Sequence, residues 1–81
     1  MSYSSHVRRV MNPELPLATR VSHLRSCAML VARKYGVPRS EILTRIGIEP
    51  TYPAGDLPSP VQIEHALAIL QEVRRRGVGA A

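Results

Sequence analysis

Residues 17–46, LATRVSHLRSCAMLVARKYGVPRSEILTRI, contain the pattern around which the rest of this 81-residue chain is organised. Apolar residues recur along its first part at steps of three and four, which is the spacing of one face of an α-helix. The pattern predicts a long amphipathic helix over residues 16–35 that buries this stripe. The residues of the stripe are Leu17, Val21, Leu24, Ala28, Val31 and Tyr35.

A glycine and a proline divide the stretch into two helices. Gly36 can adopt the positive φ that ends a helix, and Pro38 has the fixed φ that suits a first helical turn. Gly47 ends the second helix. We therefore predict a short helix over residues 38–46. Its apolar side consists of Ile42, Leu43 and Ile46.

The next segment, residues 47–60, reads GIEPTYPAGDLPSP and is predicted to be a loop. Its four prolines and two glycines are too many for a helix or for a central strand. The apolar residues Ile48, Tyr52 and Leu57 are spaced along it. We expect them to pin the loop against the core.

A third helix is predicted over residues 60–76. Ser59 supplies its N-cap, Pro60 occupies the first helical position, and Gln62 completes a capping box. An apolar stripe follows at helical spacing. Its members are Ile63, Ala66, Leu67, Leu70 and Val73.

Together these elements predict an all-α fold of three helices with a proline-rich loop before the last one. Residues 1–15 are predicted to be a flexible arm, residues 16–76 a single helical domain, and residues 77–81 a disordered tail. Three helices make a thin core for a monomer, so a homodimer is expected. The residues assigned to a dimer or partner interface are Leu17, Val21, Leu24, Ile63, Leu67 and Leu70.

The charge balance favours an anionic partner. Eleven Lys and Arg residues against six Asp and Glu residues give a net charge of +5. Nucleic acid, a membrane surface or an acidic protein would be attracted to such a chain. Because ten of the cations are Arg, the composition of a GC-rich genome is an alternative explanation. On the long helix, the residues off the apolar stripe predict a cationic outer face. They are Arg20, Arg25, Arg33 and Lys34.

Several classes of protein are disfavoured. Cys27 is the only cysteine, which excludes an internal disulfide, and a cytoplasmic protein is predicted. Prolines interrupt any apolar run near the N-terminus, and no segment approaches the roughly 18 consecutive apolar residues of a spanning helix. Only three Tyr and no Phe or Trp are available to stack on single-stranded RNA.

An enzyme is not predicted either. His23 and Cys27 are four residues apart and could share a helix face, as a metal site or a thiolate–imidazole pair would require. No CxxC or HExxH motif supplies further ligands, and no glycine-rich phosphate loop is present. The carboxylates are scattered. No cofactor and no metal are therefore expected.

The turn at Gly36 resembles the helix-turn-helix motif of bacterial and phage repressors and activators. Ala32, Gly36, Val37 and Ile42 carry the resemblance: a small residue, a glycine four later, an apolar residue next, and a β-branched residue five beyond. In that motif the second helix lies in the major groove of DNA. Leu43 departs from it, standing where a polar contact residue is usual, and so does Arg45, standing where an apolar residue is usual.

The resemblance implies binding of double-stranded DNA by a small transcriptional regulator. Arg39, Ser40 and Thr44 would face the bases, and Arg39 could pair with a guanine through two hydrogen bonds. The residues expected to contact phosphates are Arg33, Lys34 and Arg45.

A second resemblance favours an alternative function. The run GVPRSEILTRIGIEP at residues 36–50, followed by LPSPVQIEHALAIL at residues 57–70, is similar to the N-terminal region of some AraC-type regulators. In that family the region supports sensing and dimerisation. The resemblance implies a small helical protein-interaction module, such as an anti-activator, adaptor or inhibitor, that binds and modulates a bacterial protein. The basic surface of the chain would favour an acidic partner.

Overall fold

The computed structural model describes residues 1–53 and 55–78 of the chain. These residues form four α-helices and no strand, so the predicted all-α class is confirmed. The helices are α1 (Tyr3–Val10), α2 (Leu17–Tyr35), α3 (Arg39–Ile46) and α4 (Pro60–Arg76). α2, α3 and α4 match the three predicted helices to within one residue. The predicted count of three is wrong, because α1 forms in the segment assigned to an arm. Most of the predicted tail, residues 79–81, lies outside the described residues.

Helix α1 forms because its sequence carries both a cap and an apolar stripe. The Ser2 side chain accepts a hydrogen bond from the Ser5 backbone N–H at 3.2 Å and so caps the helix. Tyr3, Val7 and Val10 follow at steps of four and three and pack on the core, where Val10 is fully buried. The eight-residue length of α1 hides this pattern from a search for sustained periodicity.

Helix α2 is the centre of the fold, since α1, α3 and α4 all pack against it. It ends at Gly36, which has φ 66° and ψ 33°. The N–H of Val37 donates to the Ala32 carbonyl at 3.0 Å, so the last carbonyls of α2 are satisfied by the turn itself. α3 ends in the same way, with the N–H of Ile48 donating to the Leu43 carbonyl at 2.9 Å.

The N-terminus of α4 confirms the predicted capping box. Ser59 Oγ accepts from the Gln62 N–H at 3.2 Å, and the Ser59 N–H donates to Gln62 Oε1 at 2.7 Å. Two backbone donors at the start of the helix are satisfied by this exchange. The position of α4 along the chain is therefore specified locally.

The loop between α3 and α4 follows the core along part of its length. Ile48 is buried and Tyr52 is half-buried, as predicted. Leu57 is 36% exposed, so its predicted burial is wrong, and the adjacent Pro58 is buried instead. Arg25 of α2 holds the loop by donating from Nε to the Glu49 carbonyl at 3.2 Å.

The apolar seam assigned to a dimer or partner interface packs within one chain. Val21, Leu24, Ile63 and Leu70 are at most 1% exposed, and Leu67 is 4% exposed. Leu17 is partly buried against the same core. The interface assignment of these residues is corrected accordingly, because the fourth helix adds the apolar surface that three helices lack.

Arg20 corrects the predicted cationic outer face of α2. It is 3% exposed, because α1 covers this side of the helix. Its Nε donates to the Val10 carbonyl at 2.7 Å. A cation at this position stabilises the C-terminal end of α1, where the helix dipole is negative.

Candidate nucleic-acid interface

The turn between α2 and α3 is packed at the positions that carry the resemblance to a helix-turn-helix. Ala32 and Ile42 are buried, and Val37 is partly buried against the core. Gly36 adopts the left-handed conformation that a side chain would strain. The start of α3 is thereby held at a fixed place beside the end of α2.

Helix α3 separates into a buried side and an exposed face. Ile42, Leu43 and Ile46 face the core, with exposures of 4% or less. At 100° per residue, the opposite side presents four exposed residues. They are Ser40, Glu41, Thr44 and Arg45. Because Leu43 is buried, it cannot contact a ligand. Ser40 and Thr44 are the predicted base-facing residues that lie on the exposed face.

Arg39 differs from the other predicted base-facing residues in its position. It is the first residue of α3 and stands one helical turn before the buried Leu43. It is nevertheless exposed, because it lies beyond the edge of the core. Arg39 therefore belongs to the N-terminal end of α3, beside the exposed face that Ser40 and Thr44 share.

Glu41 is a residue of this face that the sequence interpretation missed. Its carboxylate lies in the first turn of α3, where the positive end of the helix dipole favours an acid. On a surface that approaches phosphates it would be repelled, whereas toward a base edge it could accept from a cytosine amino group. The sequence contained a signal for this position. Glu41 is four residues before Arg45, so the two residues lie on the same side of α3, and Arg45 is predicted to be exposed.

Thr44 and Arg45 also border a cleft between α3, the loop and α4. The cleft has a volume of about 460 Å³, and Gln62 and His65 of α4 line its opposite side. Arg45 Nη2 donates to the Val78 carbonyl at 2.6 Å. This hydrogen bond joins the last turn of α3 to the segment that follows α4.

The C-terminal ends of α2 and α4 meet. The Tyr35 hydroxyl donates a hydrogen bond to the Arg74 carbonyl, and Gly77 lies against the Tyr35 ring. The last turns of these two helices carry five exposed cations, which we call the basic end. They are Arg33, Lys34, Arg74, Arg75 and Arg76.

Two of these cations share one carboxylate. Arg75 Nη2 lies 2.7 Å from Glu72 Oε1, and Arg76 Nε lies 3.0 Å from Glu72 Oε2. The hydrogen bond from Arg75 is the main cause that lowers the pKa of Glu72 below its usual value. Both pairs are exposed, so their contribution to stability is small.

Arg74 is held from the other side by α1. Its guanidinium lies over the Tyr3 ring, 4.1 Å from the centroid. The Tyr3 hydroxyl donates to Gln71 Oε1 at 2.8 Å, and burial raises the pKa of Tyr3 to about 12. Tyr3 therefore remains a neutral platform for the cation at physiological pH.

The possible catalytic pair is arranged differently from the sequence interpretation. His23 Nδ1 lies 2.9 Å from His6 Nδ1 of α1, so the partner of His23 is a second imidazole. Cys27 is fully buried, and burial raises the pKa of its thiol to about 11. Within residues 1–53 and 55–78, no group of three or more His, Cys, Asp or Glu residues could hold a metal ion.

Comparisons with protein-family models, with curated proteins and with solved structures found no match to this chain. None of the helices in the described part of the chain is long and apolar enough to cross a membrane.

Proposed function

We propose that this chain is a small regulator that binds double-stranded DNA, with α3 lying in the major groove. The observation that carries the proposal is the packed turn at Gly36, which presents an exposed polar face of α3 beside the cation-rich end of α2. Ser40 and Thr44 supply hydroxyl groups on that face, and Arg39 stands at its leading end. The whole interface is built from exposed side chains on a rigid pair of helices.

The chemistry of these residues suits the two kinds of contact that DNA recognition needs. The major groove is about 12 Å wide and admits an α-helix. Arg39 can donate two hydrogen bonds to the O6 and N7 atoms of guanine, while Ser40 and Thr44 can donate or accept. Arg33, Lys34 and Arg45 would contact phosphates, which fix orientation without reading sequence.

The test is fluorescence anisotropy with a mixed-sequence duplex, from low to physiological salt. We expect wild-type affinity to fall steeply as salt rises, because each phosphate contact releases counterions. Arg39→Ala is expected to weaken binding and to reduce the salt slope by about 1, since on a mixed sequence it removes one cation from the interface. Arg9→Ala, which removes an exposed arginine of α1, is the matched control and should bind as wild type does.

Absence of binding by the wild type at low salt would overturn the proposal. One observation would then favour a protein-interaction module: Leu57, in the loop before α4, and Val61, in the first turn of α4, are exposed by 36% and 73%. Apolar side chains in such a position could dock on a protein target. Capture of a protein partner by wild type but not by Val61→Asp would support that second candidate.

A further inference from the structure

The basic end defined above lies next to the proposed DNA-reading helix. Lys34 is five residues before Arg39 along the chain, and the tight turn at Gly36 joins them. Tyr35 also contacts Arg74, so the end of α4 lies at the same end of α2 as the turn. A ligand that contacts α3 through Arg39 is therefore close to cations from two further helix ends.

The charge of the basic end exceeds what helix dipoles can account for. Five cations and the single carboxylate of Glu72, which pairs with two of them, sum to a charge of +4. The C-terminal ends of α2 and α4 each contribute about −0.5 of an elementary charge. Compensation of the dipoles thus uses about one positive charge and leaves about three available for an anionic ligand.

Three of the five cations also border one surface groove. The groove has a volume of about 610 Å³. Lys34 of α2 lines one side, and α4 lines the other with Gln71, Glu72, Arg74 and Arg75, so one carboxylate stands among the cations. Arg8 of α1 and Arg74 both line an adjoining groove of about 420 Å³, which extends the positive surface beyond the basic end.

Two of the arginines are ordered before any ligand binds. The Tyr3 ring holds the guanidinium of Arg74, and Glu72 holds that of Arg75. Side chains that are already immobilised lose less entropy on binding than free ones do. Arg74 makes no ion pair within the part of the chain that the structure describes, so its charge is not cancelled by a neighbouring carboxylate.

We infer that the basic end binds the phosphodiester backbone of the same duplex whose major groove receives α3, with Arg74 of α4 as a phosphate contact additional to Lys34. This inference rests on the proposed function. It extends the interface from the two helices of the turn to α4, and through Tyr3 and Arg8 to α1. An anionic backbone fits this surface because it can contact cations of α2 and α4 at the same time.

The experiment measures the slope of log Kobs against log salt concentration for a mixed-sequence duplex. Lys34→Gln and Arg74→Gln should each reduce the slope by about 1, because each removes one phosphate contact. Arg9→Gln is the matched control, since Arg9 is an exposed arginine in the last turn of α1. Arg9 lies far from the basic end. Its neighbour Val10 accepts a hydrogen bond from Arg20, and Arg20 is 15 residues, or about 22 Å along α2, from Tyr35 at the basic end.

The outcomes separate the two proposals. Binding that weakens in Arg39→Ala and Lys34→Gln while Arg74→Gln keeps the wild-type slope would overturn the inference and leave the proposed function standing. A wild type that binds no duplex at low salt would overturn both. Because Arg74→Gln also removes a contact with Tyr3, circular dichroism should accompany it. Arg75→Gln is the second variant, since Arg75 lines the same groove and bonds to Glu72 of its own helix. A slope reduced equally in Arg9→Gln would indicate net charge alone and would also overturn the inference.

Discussion

At the scale of single residues, the pair formed by His6 and His23 makes the packing of α1 sensitive to pH. Their Nδ1 atoms are 2.9 Å apart, so one ring must donate a proton and the other must accept it. Two protonated rings cannot form this hydrogen bond and would repel each other. Desolvation, followed by the charges of His23, the N-terminus and Arg9, lowers the pKa of His6 below 6.5.

The sign of the effect follows from proton binding. The unfolded chain binds a proton at His6 at a higher pH than the folded chain does, so folding is opposed as pH falls. We expect the free energy of unfolding to decrease from about pH 7.5 to about pH 5.5, which spans the usual histidine pKa. Denaturant unfolding at several pH values measures this decrease.

The matched controls are two histidine variants. His6→Gln should flatten the dependence over this pH range, because it removes the titrating ring. His65→Gln, which changes an exposed histidine of α4, should leave the dependence unchanged. An equal pH dependence in wild type and His6→Gln would contradict the assignment to this pair.

At the scale of elements, α1 is a structural part of the core and also supports the basic end. Val10 is fully buried, Arg20 caps the C-terminal end of α1, and Tyr3 holds Arg74. An arm without these contacts could not position Arg74. The same helix therefore links the stability of the fold to the surface proposed to bind phosphates.

A core substitution in α1 tests this role. Val10→Ala should lower the free energy of unfolding by about 2 kcal/mol, because it removes buried methyl groups and leaves a cavity. Met11→Ala is the matched control, since Met11 is 48% exposed and directly follows Val10. Chemical denaturation followed by circular dichroism gives both values. Equal values for the two variants would show that α1 does not pack as described.

At the scale of the whole molecule, one chain encloses its own core. The radius of gyration is 11.8 Å, close to the roughly 12 Å expected for a compact chain of this length. The apolar stripes of α2 and α4 face each other across that core. Both stripes also pack against α1 and α3. The reason for predicting a homodimer, an unpartnered apolar seam, is therefore removed.

We accordingly expect a monomer in solution. Sedimentation equilibrium should give a mass near 8.9 kDa over a wide range of protein concentration. Val61→Asp is a useful comparison, because Val61 is the most exposed of the large apolar side chains in the described part of the chain. A dimer mass in wild type that returns to a monomer mass in Val61→Asp would contradict this expectation and locate the interface at the start of α4.

The features that the sequence determined by itself are local ones. The bounds of α2, α3 and α4 follow from the 3.6-residue period, from the glycines that end α2 and α3, and from the capping box at Ser59. The exposure of Ser40 and Thr44 follows from the same period, whereas Arg39 lies in line with the buried residues of α3 and is exposed because it precedes the core. Each of these signals lies within a few residues of the feature it specifies.

Which helix surfaces meet could not be predicted from the sequence and became known from the packing of the four helices. The inclusion of α1 in the core, the burial of Arg20 and the junction of α2 with α4 at Tyr35 all join residues that are distant along the chain. Periodicity shows that a stripe is buried but not what covers it, because the covering helix is selected by packing over the whole chain. The sequence therefore shows each cation of the basic end but does not show that the cations of α2 and α4 lie close together.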